Sequence, residues 1–285
     1  MISVVIPAHD ESTVIERCLR ALLTDATEEE FDIVVVANGC TDDTAARARS
    51  VGGPVTVVEE PVGGKINALA VGDRVAHGFP RIYLDADVEL STTTARAMAD
   101  ALRQGPALAA GARPRLRTEH VSPLVRWHYE AWLRLPVLNR AYLGSGVYAV
   151  SAEGHRRISP WPQVVADDEY VRRRFRFEER ICVPEGFDVH LSRTVRAYVR
   201  RAVRARRGNA DLTVDTADVL PDDSPRGLRP VLGLLRNPRN LHRVVAFVTL
   251  TTVVRAAVLL DRGPRSTWHR DTSSRPVAHD LGHGG

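Results

Sequence analysis

The chain has 285 residues, of which 44% are hydrophobic, enough for one large domain or for one domain with an appendage. Its three cysteines are an odd number without a Cys-x-x-Cys pair, which argues against a disulfide framework or a thiolate zinc site and favours a reducing compartment. The net charge is +4, and the basic residues concentrate after residue 170, so we expect a phosphate-bearing small molecule as ligand and no nucleic acid.

Short apolar runs alternate with helical patterns along the first third of the chain. A β-branched run from Ile2 to Ile6 stops at Pro7, and apolar residues then recur at helical spacing from Val14 to Leu23. Further strands are predicted at 31–36, 55–58 and 82–84, with helices that end near residue 50 and that span 65–75. This alternation predicts an α/β fold with a doubly wound, mainly parallel sheet and helices on both faces. The N-terminus opens on a strand and not on a secretory signal, so we expect a cytoplasmic protein.

The fourth strand ends in two carboxylates, Asp85 and Asp87, one residue apart. On an extended strand end, residues two apart point to the same side, so both carboxylates are expected to face one point beyond the sheet. A hard cation such as Mg²⁺ or Mn²⁺ suits that point, with phosphate oxygens and water as its other ligands. Taken alone, such a motif is more often a turn or a helix cap than a metal site.

Polar residues also follow the other strands, and ligands bind beyond the carboxyl ends of strands in such sheets. The first loop lacks Gly-x-Gly-x-x-Gly, which disfavours a dinucleotide site, and no Gly-x-x-x-x-Gly-Lys-Ser/Thr appears, which disfavours a P-loop. Lys65, the only lysine in the chain, follows two glycines. Glycines let backbone approach a ligand closely, so Lys65 is a candidate to neutralise a diphosphate.

Five short motifs in order carry a resemblance to a known family. They are Val4-Val5-Ile6-Pro7-Ala8-His9-Asp10-Glu11, Asn38-Gly39-Cys40-Thr41-Asp42-Asp43-Thr44, Gly63-Gly64-Lys65, Asp85-Ala86-Asp87 and Ala166-Asp167-Asp168-Glu169. The chain resembles family 2 glycosyltransferases of the GT-A fold over about residues 1–210. It departs from many relatives at Asp10-Glu11, where they have Asn-Glu, and at Ala37-Asn38, where they have an Asp pair. These departures leave the nucleotide base open.

The resemblance implies roles for the motifs. Five residues would line the nucleoside pocket: Pro7, Ala8, Glu11, Asn38 and Asp42. Asp87 would ligate Mn²⁺ or Mg²⁺ directly, while Asp85, with Ala86 between them, would act through the ribose or a water molecule. The structural alternative is that Asp10 or Ser12 caps the first helix and Asp42 the second.

The family's pattern makes Asp168 the general base that takes the proton from an acceptor hydroxyl, which implies inversion at the anomeric carbon. The acidic run 167–169 also suits the start of a helix, where carboxylates favour the macrodipole. A basic amphipathic helix is predicted from Ser192 to Gly208. In the family such an element lies near the donor diphosphate, which makes three arginines candidate contacts: Arg200, Arg201 and Arg204. His190 is a candidate third metal ligand, with a packing role as the alternative.

Residues from about 107 to 150 are expected to form the acceptor side. The aromatic side chains from Trp127 to Trp132 offer flat surfaces for a sugar, although aromatic residues at helical spacing more often form core. Gly144-Ser145-Gly146 predicts a mobile or tightly turning loop. The acceptor class stays open between a glycan, a lipid-linked sugar and a small molecule.

Two regions are predicted, a catalytic domain at 1–210 and an extension at 211–285 that holds a linker around Pro221, a helix and a tail. The apolar run from Val244 to Val254 ends at Arg255 and is too short for a transmembrane span. The alternatives are a packed helix, a homodimer contact or a membrane-surface helix at the inner face of the plasma membrane, in that order. The tail from Trp268 to Arg275 is similar to the ending of bacterial relatives in surface glycan assembly.

The sequence thus predicts a metal-dependent, inverting glycosyltransferase that uses a nucleoside diphosphate sugar. Two other classes remain as alternatives: a sugar nucleotidyltransferase, which usually has a glycine-rich basic loop after the first strand, and a non-catalytic GT-A module that binds a partner.

Overall fold

The computed structural model describes residues 1–135, 141–162, 167–215, 220 and 229–260, without the side chains of 207–215 and 229. The predicted linker around Pro221, the tail from Trp268 to Arg275 and the motif residue Ala166 lie outside the described residues.

One seven-stranded sheet forms the centre of the molecule, in the order β3-β2-β1-β4-β6-β5-β7. The strands are β1 (Ile2–Ala8), β2 (Phe31–Asn38), β3 (Val55–Glu60), β4 (Arg81–Leu84), β5 (Ala109–Arg117), β6 (Val147–Val150) and β7 (Arg180–His190). β1 pairs in parallel with β2 and with β4, β2 pairs in parallel with β3, and β5 pairs in parallel with β7. β6 runs antiparallel to both of its neighbours, β4 and β5. The doubly wound, mainly parallel sheet is confirmed, with β6 as the exception.

Ten α-helices are assigned in the described part of the chain. They are α1 (Ile15–Leu23), α2 (Thr44–Val51), α3 (Lys65–Val75), α4 (Thr92–Gln104), α5 (Pro123–Trp132), α6 (Ala152–Ile158), α7 (Asp167–Arg172), α8 (Val195–Asp215), α9 (Arg229–Leu232) and α10 (Leu241–Leu260). The predicted basic helix is α8, which begins three residues later than expected and continues past the predicted boundary at 210.

Alternating side chains on the strands build a core on each face of the sheet. On β4, Ile82 and Leu84 join the cluster that includes α1 and α4, whereas Tyr83 joins the cluster that includes α3 and α7. All three side chains are nearly inaccessible to solvent. A strand buried on both faces reads as a continuous apolar run, which is why this one was recognisable from the sequence.

The C-terminal helix α10 packs against α5 and α8 in a separate cluster around Val125, Tyr198 and Leu250. The aromatic side chains of α5 belong to this contact: His128 stacks on Phe247 with ring centroids 4.8 Å apart. The packed-helix alternative, the first in our order, is therefore the one observed. Most of the aromatic residues expected to form a sugar platform pack against neighbouring helices instead.

We predicted that the apolar run from Val244 to Val254 is too short to cross a membrane, but the helix that contains this run is longer than the run itself. The helix continues through Arg255, so that Pro238–Leu260 spans 23 residues, and its most apolar window of 18 residues has a mean hydropathy of 1.9 and is 28% buried. By length and composition it is long and apolar enough for a span. A single arginine does not end the helix, because its long side chain stays in contact with water while the backbone pattern continues.

Candidate active site

Asn38 ties together the loops at the carboxyl ends of the first strands, and its side chain is fully buried. Its Nδ2 donates to the carbonyl oxygen of Ala8 at 2.8 Å, and its Oδ1 accepts the amide hydrogen of Gly64 at 2.9 Å. Both ends of the amide therefore hold the walls of the crevice. Of the other predicted nucleoside contacts, Pro7 and Ala8 are buried at the end of β1 and Glu11 is partly exposed.

Asp10 and Asp42 join the first loop to the second. The Oδ1 of Asp10 accepts the amide hydrogen of Thr41 at 2.7 Å, and the Oδ2 of Asp42 accepts that of Ser12 at 3.2 Å. α1 begins without a side-chain cap, so the expectation that Asp10 or Ser12 caps it was wrong. The N-cap position of α2 is Asp43, without a side-chain cap, so Asp42 does not cap this helix either; its Oδ1 accepts the amide hydrogen of Thr44, the first residue of α2, at 3.0 Å.

Asp85 and Asp87 lie in a turn, not on an extended strand. β4 ends at Leu84, and the amide of Val88 donates to the carbonyl oxygen of Asp85 at 3.1 Å. The argument from strand alternation was therefore wrong, because the chain turns before the second carboxylate. Among the described residues, the Asp87 carboxylate has neither a hydrogen bond nor an ion pair with another side chain, which leaves its oxygens available to a ligand.

Lys65 lies between two carboxylates from distant parts of the chain. Its Nζ is 2.7 Å from Asp85 Oδ1 and 2.7 Å from Asp167 Oδ1, and its side chain is 20% exposed. Burial lowers the pKa of Lys65, but the negative charges of Asp167 and Asp85 outweigh that effect and raise the pKa above its ordinary value. The ammonium group therefore stays charged and draws the loop after β4 towards the start of α7.

The two aspartates that begin α7 have different surroundings. Asp167 is buried, and besides Lys65 it accepts a hydrogen bond from the Tyr148 hydroxyl at 3.0 Å. Desolvation and the charge of Asp167 raise the pKa of Asp168 to about 6, although the charge of Lys65 opposes the shift. Asp167 is thus held in place by Lys65 and Tyr148, while Asp168 has the pKa of a group that exchanges a proton near neutral pH. This contrast favours Asp168 over Asp167 as the base.

The Gly144-Ser145-Gly146 segment forms a tight turn directly against the carboxylates. All three residues have positive φ, at 137°, 58° and 85° in order. A Cβ on Gly146 would lie 2.8 Å from Asp85 Oδ2, and one on Gly144 would lie 3.3 Å from Asp168 Oδ2. The backbone of this turn therefore forms one wall of the crevice, which explains why small residues are required on both sides of Ser145.

One of the three candidate arginines on α8 is placed near this turn. Burial and the charge of Asp168 raise the pKa of Tyr142, and the charge of Arg201 opposes that shift, so Arg201 acts on the same pocket as the predicted base. Arg200 is exposed and Arg204 is half-buried.

His190 lies at the end of β7, and its Nε2 is 2.7 Å from Glu89 Oε1. Glu89 also pairs with Arg17, whose Nε is 2.9 Å away. Beside them is a cavity of about 300 Å³ lined by Arg17, Glu89, Arg117, Glu119, His120, His190, Leu191 and Arg193. Glu89 follows Asp87 by two residues in the chain, and His190 is the one predicted site residue that lines this arginine-rich cavity. No sequence pattern indicates the cavity, because its lining residues come from four separate segments.

The chemistry of the donor set fits a divalent cation at the aspartate pair, since carboxylate oxygens are hard ligands and those of Asp87 are available. His190 does not join the pair in this structure, because its ring contacts Glu89, so its ligand role stays a prediction. Asp10, Cys40 and Asp42 form the one group of three close metal-ligand side chains in the described chain. Their carboxylates already accept backbone hydrogens, and we assign them to loop structure.

Comparison with known families decides what this crevice belongs to. The sequence model of Glycosyl transferase family 2 matches residues 3–146, just over half of the chain. The protein belongs to glycosyl transferase family 2. The matched segment includes Asn38, which holds the loops together, Lys65, the Asp85-Ala86-Asp87 turn and the Gly144-Ser145-Gly146 turn. In this family 2 enzyme, the predicted site residues up to Gly146 therefore lie within the part of the chain that the family model matches. Membership also decides against a sugar nucleotidyltransferase.

Solved structures confirm the GT-A fold of this glycosyltransferase. A mannosyltransferase from Pyrobaculum calidifontis in complex with GDP-Man and Mn²⁺ is 20% identical, with a TM-score of 0.60 over 93% of this chain and 76% of that chain. Glucosyl-3-phosphoglycerate synthase from Mycobacterium tuberculosis in complex with UDP is 22% identical, with a TM-score of 0.52 over 78% of this chain and 82% of that chain. A comparison with curated protein sequences gave no match.

Proposed function

We propose that this family 2 glycosyltransferase moves a sugar from a nucleoside diphosphate donor to an acceptor hydroxyl, with inversion and with Mn²⁺ or Mg²⁺ as cofactor. The observation that carries the proposal is that Lys65 joins Asp85 to Asp167, so that the Asp85-Ala86-Asp87 turn lies near the start of α7, where Asp168 follows. Fold neighbours with bound GDP-Man and Mn²⁺, or with UDP-Glc and Mn²⁺, support the choice of donor and cofactor.

The proposed reaction assigns a separate task to each side of the crevice. Asp168 takes the proton of the acceptor hydroxyl, the oxygen forms a bond to the anomeric carbon on the opposite face from the leaving group, and the bond from that carbon to the diphosphate oxygen breaks. The pKa of about 6 leaves Asp168 mostly deprotonated at pH 7 and still basic enough to take a proton as the bond forms.

On the other side, Asp87 and Asp85 would hold the divalent cation, which neutralises charge on the leaving diphosphate. Lys65 keeps Asp85 oriented and adds positive charge next to the diphosphate. We propose that Arg201 acts in the same region, with Arg200 and Arg204 as further candidates. Pro7, Ala8, Glu11 and Asp42 are proposed as the wall for the base and ribose, with Asn38 as the side chain that fixes that wall.

The arginine-rich cavity beside Glu89 favours an acceptor that carries a phosphate or carboxylate group. Of the three arginines that line it, Arg17 pairs with Glu89 and Arg117 pairs with Asp188, and Arg193 adds a further positive charge. Neighbouring structures hold phosphorylated acceptors, phosphoglyceric acid in one and glycerol 3-phosphate in another. We also propose a cytoplasmic location, because all three cysteines are free thiols.

A nucleotide panel tests the donor site. UDP, GDP and TDP are added to the wild type, to Asp87→Asn and to Asp168→Asn, each with and without Mn²⁺, and thermal stability is measured. We expect one nucleotide to stabilise the wild type and Asp168→Asn only with Mn²⁺, and Asp87→Asn to lose that response. Asp100→Asn, an exposed substitution on α4, is the control. If no nucleotide stabilises the wild type, the donor site is refuted.

Sugar transfer tests the base. The donor is a nucleotide sugar that carries the base identified in the nucleotide panel, and the acceptors are a set of phosphorylated and neutral compounds. We expect Asp168→Asn to lower the rate of transfer about 10²- to 10⁴-fold, the usual contribution of a general base. Because Asp168→Asn keeps its nucleotide response, its loss of transfer is separable from loss of binding. Unchanged transfer in this variant would remove Asp168 from the reaction.

A further inference from the structure

The C-terminal segment has two faces with different surroundings. The inner face of α10 packs through Val244, Leu250 and Val254 against α5 and α8. An ion pair adds to this contact, with Arg243 Nε 2.6 Å from Glu130 Oε2. The helix is therefore held on the domain in a defined rotation, which determines the residues that point outward.

The outer face of α10 and the turns before it expose apolar side chains. More than half of the exposed large apolar residues in the described chain lie here: Leu232, Leu235, Leu241, Val245, Val253, Leu259 and Leu260. On the helix, Leu241 and Val245 lie about 40° apart at 100° per residue and one turn from each other, whereas Leu259 points the same way but is separated from them by the exposed Thr252 and Arg255. We call the exposed side chains of Leu232, Leu235, Leu241 and Val245, with Arg236 and Arg239, the outer apolar face.

Charge on this segment has one sign. Residues 224–260 contain six arginines and neither aspartate nor glutamate. Arg236 and Arg239 are exposed, and they lie in the turn between Leu235 and Leu241, so positive charge borders the apolar side chains. Single scattered apolar residues on a surface need no explanation, but four exposed apolar side chains close together in the chain, Leu232, Leu235, Leu241 and Val245, with two exposed arginines between them, match the acyl boundary and anionic headgroups of a lipid surface.

We propose that the outer apolar face docks the enzyme onto an anionic lipid bilayer, with the helix lying in the plane of the interface. Although α10 is long enough to span a membrane, its inner face is committed to α5 and α8, and Arg243 is paired with Glu130. A spanning position would require this packing to separate and the ion pair to break. Surface docking keeps every described contact and buries the exposed leucines, and it goes beyond the proposed sugar transfer.

Vesicle sedimentation of the full chain tests the proposal. We expect binding to vesicles of phosphatidylcholine with phosphatidylglycerol, at least tenfold weaker binding to phosphatidylcholine alone, and a marked loss of binding on raising salt from 0.1 to 0.5 M. Leu241→Glu with Val245→Glu should lower the affinity at least tenfold, and Arg236→Gln with Arg239→Gln about tenfold. All four positions are exposed or at the surface, so folding should be unaffected, which circular dichroism and the nucleotide response check.

Matched controls place the same changes elsewhere on the surface. Phe177→Glu alters an exposed apolar side chain of the catalytic domain, and Arg103→Gln alters an exposed arginine of α4, and both should bind vesicles like the wild type. Equal binding to neutral and anionic vesicles, or no effect of the double substitutions, overturns the proposal. Protein that stays on the vesicles through both high salt and alkaline washing would indicate a membrane-spanning helix. Dimerisation that Leu241→Glu with Val245→Glu abolishes, without any vesicle binding by the wild type, would indicate a second copy of the chain as the partner. Either result also overturns the proposal.

Discussion

Replacing Lys65 by methionine removes the positive charge between Asp85 and Asp167 and keeps most of the side-chain volume. Two contacts of 2.7 Å are lost, and the carboxylates of Asp85, Asp167 and Asp168 then face one another without the ammonium group that separated them. Asp167 is 5% exposed and Asp85 35%, so the contact with Asp167 carries most of the energy. We therefore expect the substitution to destabilise the fold and to change proton binding in the crevice.

The magnitude follows from the burial of the pair. Removing one partner of a buried ion pair costs about 3–5 kcal/mol, and the partial exposure of Lys65 places this case near the lower end. About 3 kcal/mol corresponds to a fall in Tm of about 6 °C or more for a chain of this size. The pKa of Lys65 is raised above its ordinary value of 10.5, so its stabilisation is complete below that pH and is lost only at higher pH. The titration of Lys65 itself therefore adds no pH dependence near neutrality. Because loss of Lys65 raises the pKa of Asp168 further, the deficit of the variant should shrink as pH falls and this carboxylate takes up a proton.

The assay compares thermal unfolding of the wild type, Lys65→Met, Lys65→Arg and the double variant Lys65→Met with Asp167→Asn. The double variant should recover part of the loss, since it removes the carboxylate that was left uncompensated. Because the charge of Lys65 lowers the pKa of Asp168, the acid limb of the transfer rate should also move to higher pH in Lys65→Met. A variant that melts like the wild type and keeps its pH profile would refute the reasoning.

Two further predictions concern the glycine turn and the C-terminal contact. Gly146→Ala places a Cβ 2.8 Å from Asp85 Oδ2 at a φ of 85°, so this substitution should lower the rate of sugar transfer tenfold or more. Gly233→Ala is the control, because nothing lies within 4 Å of the added atom, and it should leave the transfer rate unchanged. Equal transfer rates in the two variants would remove the glycine turn from the site. Burial lowers the pKa of His128 from 6.5 to about 4. Between these two pH values His128 binds a proton in the unfolded chain but not in the native state. The free energy of unfolding should therefore fall by about 3 kcal/mol as pH drops from 6.5 to about 4. Urea unfolding of the wild type and His128→Gln at pH 7, 5 and 4 measures this, and an equally steep pH dependence in the variant would contradict it.

Local patterns were sufficient for the first half of the fold. The strands that begin at Ile2 and Phe31 were recognisable because each is a β-branched run buried on both faces, and α3 was predicted over its observed range from Lys65 to Val75. The second half was harder to predict, because β6 has four residues and pairs antiparallel between strands that are distant in sequence. No local pattern encodes that pairing.

The sequence by itself determined the family resemblance, the order of the crevice loops and the types of group that carry charge there, because each of these is written in short contiguous motifs. The tertiary structure decided which contacts each of those groups makes. Lys65 joins Asp85 to Asp167, the Asn38 side chain is hydrogen-bonded to two loops, and Asp168 has the raised pKa. It also decided which face of α10 is exposed. Such properties depend on distances and desolvation between residues far apart in the chain, and a one-dimensional pattern does not contain them.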